Sequence, residues 1–238
     1  MKKIFKKLIP QKYHEIIVGI RNDFLDGYSL KSYSQEGEDM VLRRCFEVKQ
    51  RGFYVDVGAH HPKKFSNTYF FYKRGWRGIN IDAMPGSMKL FHKFRNKDVN
   101  IEVAISNTDK PLKFYMFNEP ALNSFSKELS VLRNKGDYKI IREMEIASKR
   151  LEQVLDDYID KKQKIDFLSV DVEGLDLDVI QSNNWEKYRP EIVLVEILVL
   201  DLDRISENEI AIYMRSHDYE IFGKTFNTVF FRDQRLNI

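Results

Sequence analysis

Acidic and histidine side chains follow two short apolar runs in this sequence. The run FYVDVGAHHP, residues 53–62, contains His60 and His61, and the run IDFLSVDVEG, residues 165–174, contains Asp171 and Glu173. A histidine or a carboxylate can take a proton from a hydroxyl near neutral pH. Two carboxylates with a histidine can instead hold a divalent cation. These four residues are therefore the candidate catalytic groups, acting as bases, with a metal possible but not required.

Two of the apolar runs have the form of parallel strands that end on an acid. Residues 53–57 mix aromatic and β-branched side chains and lead into Gly58, where the chain must turn. Residues 78–82 repeat the pattern, and Asp82 stands 26 residues after Asp56. In doubly wound α/β sheets a ligand binds beyond such strand ends, and the second acid is placed to accept hydrogen bonds from ribose hydroxyls. We expect the ligand to contact residues 56–60, with Asp82 at its ribose.

Strands and helices continue to alternate, which predicts an α/β fold with helices on both faces of the sheet. Alternation along the strand before Asp171 predicts that Asp171 and Glu173 share one face, although either acid could instead cap the next helix. The other predicted strands are residues 99–105, 165–170 and 192–199, the last interrupted by Glu196, and a terminal antiparallel pair at residues 219–222 and 228–231.

The chain divides into a short basic segment and one large domain. Residues 1–29 form the predicted N-terminal helical segment, and residues 30–238 fit a single Rossmann-like domain. Residues 110–117 have the pattern of an added hairpin arm. The polar stretch 118–149 has no clear period, and the two hypotheses for it are a lid-like insertion and a disordered segment.

Charge and cysteine content limit the partners and the compartment. The chain has 39 basic and 36 acidic residues, a balance that argues against a dedicated nucleic-acid surface. Its single cysteine, Cys45, favours a reducing cytoplasm. The first twelve residues contain five lysines, yet no apolar run is long enough to span a bilayer or to act as a signal peptide. This segment either makes a weak contact with anionic lipid at the inner membrane face or forms a solvated helix packed on the domain.

The turn after the first strand argues against a dinucleotide ligand. Gly58 is followed by Ala59, His60 and His61, so the glycines with which GxGxxG approaches a pyrophosphate are missing. S-adenosylmethionine carries no phosphate, and its sulfonium and amino groups suit an acid-lined pocket. The residues therefore favour methyl transfer from this cofactor.

Six stretches in this order resemble FkbM-type S-adenosylmethionine-dependent methyltransferases. Together they span roughly residues 33 to 176, and the likeness extends over about residues 30–200. They are YSQEGEDMVL at 33–42, FYVDVGAHHP at 53–62, SNT at 66–68, GWRGINIDAMP at 75–85, VAIS at 103–106 and FLSVDVEGLD at 167–176.

The resemblance implies a class I methyltransferase fold, with a seven-stranded mixed sheet and O-methylation of a sugar or secondary-metabolite hydroxyl. Bacterial members commonly act in polysaccharide or secondary-metabolite pathways. Positions carried over from the family imply one role for each part of the cofactor site. Asp56, Gly58 and Ala59 would hold the methionine part, Asp82 the ribose, and Ala104, Ile105 and Ser106 would lie near the adenine. Ala83 would also contact the cofactor, and Gln35 would approach it from the amino-terminal side.

Three functions of different classes follow from these residues. The first is an O-methyltransferase acting on a small-molecule or glycan hydroxyl. The second is a metal-dependent enzyme built on His60, His61, Asp171 and Glu173. The third is a cofactor-binding domain without catalysis. Asp82 favours the first, because a hydrolase does not need an acid that recognises ribose.

Overall fold

The computed structural model describes residues 11–25, 27–160, 162–198 and 201–236 in two compact units, residues 1–32 and 33–238. The first unit contains helix α1, Gln11–Phe24, and the first ten residues of the predicted basic segment lie outside the described part. The second unit contains helices α2 to α8: Glu38–Cys45, Tyr69–Lys73, Met88–Phe94, Lys127–Arg133, Leu151–Tyr158, Asp176–Gln181 and Glu209–Ser216.

Eleven strands alternate with these helices among the described residues. They are β1 Phe53–Val57, β2 Arg77–Asp82, β3 Val99–Glu102, β4 Ala104–Ile105, β5 Leu112–Phe117, β6 Ile140–Ile146, β7 Ser148–Lys149, β8 Phe167–Val170, β9 Ile192–Glu196, β10 Tyr219–Lys224 and β11 Thr228–Asp233.

Seven of these strands form one mixed sheet in the order β3-β2-β1-β8-β9-β11-β10. Strand β1 pairs in parallel with β2 and β8, and β8 pairs in parallel with β9. Strand β11 is antiparallel to both of its neighbours, as the last hairpin of the predicted fold requires. The predicted α/β class, with its seven-stranded Rossmann-like sheet, is confirmed.

Alternate residues of the strands pack under helices on opposite faces of this sheet. Val55 and Val57 of β1 belong to a core that also contains residues of α6, α7 and α8. Tyr54 of β1 lies in the other core, with Leu42 of α2 and Phe71 of α3. Period-two alternation in a strand covered on both sides explains why β1 reads as a nearly continuous apolar run.

Two sequence expectations differ from the structure. The predicted third strand, residues 99–105, is divided: β3 ends at Glu102, and Ala104–Ile105 leaves the sheet to pair with β7. The stretch 118–149 is not irregular, since it contains a short 3-10 helix at Pro120–Leu122, then α5, and then β6, which pairs with the predicted arm β5. Polar surface strands and short helices give weak periodic patterns, so the sequence did not predict these elements.

Candidate functional site

A cavity of about 410 Å³ opens at the carboxyl edge of the parallel strands. The carboxyl ends of β1, β2, β8 and β9 all contribute residues to it, as expected where the chain departs in opposite directions from adjacent strands. Its lining at these ends includes Gly58, Asp82, Asp171, Glu173 and Glu196. The structure therefore brings together acids that the sequence separates by more than one hundred residues.

The turn after β1 can be made only by a residue without a side chain. Gly58 has φ of +85°, and its amide donates to the carbonyl of Ile81 at 2.9 Å. A Cβ atom at this position would overlap the carbonyl oxygen of Asp171 on β8's side of the cavity. Glycine therefore allows the β1 turn and the loop after β8 to approach each other.

Asp82 is held at the cavity by backbone amides. Its Oδ2 accepts a hydrogen bond from the amide of His60 at 2.9 Å, and its Oδ1 accepts one from Met84 at 2.8 Å. Burial raises the pKa of Asp82, while these amides favour its ionised form. The carboxylate is thus oriented before any ligand arrives, at the position predicted for the ribose.

Asp56 lies beneath the cavity instead of lining it. The side chain is 5% exposed, and its Oδ2 accepts a hydrogen bond from Thr68 Oγ1 at 2.7 Å. The fully buried Arg95 donates to the same Thr68 oxygen and forms an ion pair with Asp98 at 2.9 Å. Burial, only partly offset by the Thr68 hydrogen bond, raises the pKa of Asp56 to about 6. A direct role with the methionine part remains a prediction.

We expect Asp56→Asn to stabilise the protein at alkaline pH. Because the folded-state pKa of about 6 lies above the ordinary 3.8, the wild type loses stability as the pH rises through this window, by up to about 3 kcal/mol. Asparagine stays neutral, so the free energy of unfolding of the variant should exceed that of the wild type at high pH and approach it near pH 4. Urea denaturation across this range measures the difference, and a pH-independent difference would contradict the assignment.

The loop after β8 is tied down by Asp176, at the start of α7. Its two carboxylate oxygens accept hydrogen bonds from the amides of Val172 at 3.0 Å and Gly174 at 3.2 Å. Glu173 has φ of +54°, so strand alternation does not extend to it. The expected shared face of Asp171 and Glu173 is therefore produced by a closed loop and not by a continuing strand.

Three carboxylates meet in this part of the cavity. One oxygen each from Asp171, Glu173 and Glu196 lies within 4.8 Å of the others. Asp171 is exposed at the cavity, and desolvation by the surrounding protein, followed by repulsion from Glu196, raises its pKa well above the usual range. Burial, followed by the charge of Glu173, raises the pKa of Glu196 to about 8. Such a group is suited to accept a proton near neutral pH.

The same three carboxylates are the candidate ligands for a divalent cation. Carboxylate oxygens are what Mg²⁺ and Mn²⁺ prefer. Among the described residues, this cluster contains Glu196 and neither of the two histidines of the predicted metal set, whose metal role stays a prediction. Glu196 appeared in the sequence only as an interruption of an apolar strand. An acid that ends such a run was the signal available for finding it.

The two histidines occupy different positions. His60 lines the cavity and has φ of +51°. The Nδ1 atom of His61 accepts hydrogen bonds from the amides of Lys63 at 3.1 Å and Lys64 at 3.0 Å, which closes the following turn. Burial, and then the charge of His60, lowers the pKa of His61. His60 is therefore the histidine placed to meet a ligand, and His61 has a structural role.

Some of the remaining residues predicted to contact the cofactor line the cavity, and others are buried behind its lining. Gln35, Ala83 and Ile105 line the cavity. Ala59, Ala104 and Ser106 are buried behind the lining, and the Ser106 amide donates to the carbonyl of Lys149 at 3.1 Å. Of the three residues predicted near the adenine, only Ile105 of β4 lines the cavity.

The segment preceding α2 closes one side of the cavity. Glu38, which is buried, accepts a hydrogen bond from Thr225 Oγ1 at 2.7 Å. Glu36 accepts one from the amide of Asn227 at 2.8 Å. These bonds join the amino-terminal side of the domain to the β10–β11 hairpin and position Gln35 beside the cavity. Sequence reasoning missed both glutamates because their partners are nearly two hundred residues away.

The inserted segment covers another side. Arg133 of α5 forms an ion pair with Glu173 at 2.6 Å, and Ser124 Oγ donates to the carbonyl of Glu173. Asn123 Nδ2 lies 3.4 Å from the sulfur of Met84, next to Asp82. The segment therefore contacts the loop after β2, beside Asp82, and the loop after β8, which carries Glu173. Its side chains are also part of the lining: Pro120, Ala121, Leu122, Asn123, Phe125 and Arg133.

A family comparison agrees with the sequence motifs. The family profile described as the methyltransferase FkbM domain matches residues 56–221, more than two thirds of the chain. Among solved structures, a precorrin-6y C5,15-methyltransferase from Geobacter metallireducens GS-15 is similar, with 11% identity, a TM-score of 0.43 and coverage of 85% of this chain and 90% of that chain. No curated protein sequence matched. Since the matched region contains both strand-end acids and the loop after β8, the chain belongs to the FkbM methyltransferase domain family.

Proposed function

We propose that this chain is an S-adenosylmethionine-dependent O-methyltransferase whose acceptor is a hydroxyl of a sugar or a secondary metabolite. The observation that carries the proposal is the convergence of two acidic groups on one cavity. Asp82 stands at the end of β2, oriented by two amides, and the Asp171, Glu173 and Glu196 carboxylates stand at the ends of β8 and β9.

The residues present fit the cofactor that the family implies. Asp82 would accept hydrogen bonds from the ribose hydroxyls. The Gly58 turn leaves room for a ligand at the end of β1. Gln35, Ala83 and Ile105 would complete the contact surface. The cavity is rich in carboxylates, which suits a ligand with a sulfonium and an amino group. When bound, the cofactor supplies an electrophilic methyl group.

The chain itself would supply orientation and a proton acceptor. A sugar hydroxyl is a weak nucleophile until its proton is removed. Oxygens of Glu196 and Asp171 lie within 4.8 Å of each other, so the ionisation of one disfavours that of the other, and a carboxylate oxygen of this pair would accept the hydroxyl proton. Arg133 would hold the Glu173 side chain in place through their ion pair, and the inserted segment would exclude water from the reacting groups.

Calorimetric titration with S-adenosylmethionine and S-adenosylhomocysteine tests the binding part of the proposal. We expect saturable binding that weakens roughly tenfold to a hundredfold in Asp82→Ala, because a hydrogen-bonded charge is lost. The matched control is Glu102→Ala, since Glu102 pairs with Asp82 in the sheet register but is exposed outside the cavity lining. Folded wild-type protein that binds neither ligand would overturn the proposal.

The acceptor is tested separately by methyl transfer. Purified protein with labelled cofactor is offered sugars, sugar nucleotides and hydroxylated secondary metabolites, and both labelled product and S-adenosylhomocysteine are measured. We expect transfer to oxygen. Transfer to nitrogen or carbon alone would refute the O-methylation part while leaving the family assignment intact, and cofactor binding without transfer to any acceptor would favour the non-catalytic alternative.

The cluster of three carboxylates, from Asp171, Glu173 and Glu196, favours a metal-dependent enzyme as the second candidate function. Three oxygen ligands within 4.8 Å of one another match the preference of Mg²⁺ or Mn²⁺. Repeating the titration after chelation, and with each metal alone, separates the candidates. A methyltransferase that needs a cation would bind cofactor in both states but turn over only with metal. Tight metal binding without cofactor binding would support the second candidate.

A further inference from the structure

Helix α1 presents an exposed apolar stripe. Tyr13, Ile16, Ile17, Ile20 and Phe24 are between 50% and 79% exposed. Their spacing of three, one, three and four residues places them on one side of a helix, within an arc of about 100°. Large apolar side chains grouped in this way mark a surface that contacts another apolar phase.

The positive charge of the chain is concentrated in the sequence of this helix and the residues before it. The first 24 residues contain six lysines and arginines against two acids, Glu15 and Asp23. The rest of the chain has 33 basic and 34 acidic residues, so the overall charge of +3 comes from this segment. Glu15 and Asn22 fall on the helix side opposite the stripe at about 100° per residue. Apolar residues on one side with excess lysine nearby are typical of helices that lie in an anionic lipid interface.

We propose that α1 docks the chain onto an anionic lipid surface, with its apolar stripe inserted among the acyl chains and the lysines near the headgroups. No helix among the described residues is long and apolar enough to cross a membrane. The 14 residues of α1 span about 21 Å, short of the roughly 30 Å of a hydrocarbon core, so the helix would lie on the surface. A second copy of the chain fits less well, because pairing two stripes would bring two positively charged segments together.

The test is flotation of the full-length protein with phosphatidylcholine vesicles, with and without phosphatidylglycerol, at low and high salt. We expect flotation with the anionic vesicles at low salt and its loss at high salt, since screening weakens attraction to a charged surface. Ile17→Asp should lower the bound fraction by about an order of magnitude. The matched control is Ile212→Asp, because Ile17 and Ile212 are both helical isoleucines, 52% and 55% exposed.

The outcomes separate the possible occupants of the stripe. Binding that requires anionic lipid and Ile17 but not Ile212 supports the proposal, and circular dichroism of each variant checks that the domain is folded. Wild-type protein that stays in solution with anionic vesicles at low salt overturns it. So does equal binding by wild type and Ile17→Asp, or a dimer in solution that Ile17→Asp dissociates in the absence of vesicle binding. None of these outcomes depends on methyl transfer.

Discussion

Glu196→Gln is expected to lower turnover by roughly a hundredfold to ten thousandfold, because the variant lacks the carboxylate that would take the hydroxyl proton. Affinity for S-adenosylmethionine should change little, since Glu196 ends β9 whereas Asp82 ends β2, and strands β8 and β1 lie between them in the sheet. Turnover of labelled cofactor and calorimetric binding measure the two quantities independently. Asp82→Ala should show the converse pattern, with affinity as the larger loss.

The control for Glu196→Gln is an acid at the other end of β9. Glu191 immediately precedes β9, whereas Glu196 ends it, so Glu191→Gln changes an acid at the edge of the sheet away from the cavity. A base acts in its ionised form, so wild-type turnover without a bound cation should rise with pH toward the pKa of about 8. Glu196→Gln should lose this rise. Wild-type turnover in Glu196→Gln, or an equal loss in Glu191→Gln, would contradict the assignment.

Gly58→Ala should have the largest effect on the fold. An alanine at φ of +85° is strained, and its Cβ would overlap the backbone of Asp171. Backbone cannot move aside as a flexible side chain can, so we expect a loss of roughly 3 to 5 kcal/mol in the free energy of unfolding. The midpoint of thermal unfolding should fall by roughly 10 °C, and cofactor affinity should fall with it because the turn and the β8 loop must separate.

Gly86→Ala separates the cost of backbone strain from the cost of overlap with the Asp171 backbone. Gly86 also has φ of +85°, but the nearest atoms to an added Cβ belong to the flexible Lys89 side chain at 3.8 Å. This variant should therefore lose only the strain energy, about 1 to 2 kcal/mol. Differential scanning calorimetry of both variants gives the comparison. Equal losses would show that the close approach to Asp171 contributes nothing.

Local signals explain what could be predicted of the fold. Strands β1, β2, β8 and β9 are short apolar runs bounded by turns, and the terminal pair is joined through a turn. In a sheet covered on both faces such runs must be buried, so pattern and position agree. The break between β3 and β4 was missed because the chain leaves the sheet after Val103, whose amide still donates to the Asp82 carbonyl. That departure depends on a pairing with β7, more than forty residues later.

The sequence by itself determined the class of sheet and the acids at its strand ends. Asp56 and Asp82 lie in the last two residues of readable apolar runs, Asp171 follows a third, and Gly58 marks the turn after the first strand. These features are local, because strand propensity, alternation and turn chemistry depend on a few neighbouring residues. The FkbM motifs added the order in which these stretches occur.

Only the tertiary structure decided which side chains share the site. It buried Asp56 beneath the cavity and brought Glu196 beside Asp171 and Glu173. It also placed the His61 ring where it accepts hydrogen bonds from the backbone of the following turn. It also laid α5 against the loop after β8 through Arg133. These contacts join residues that are distant in the chain, and their energies depend on burial and on neighbouring charges. Neither quantity exists until the sheet has assembled.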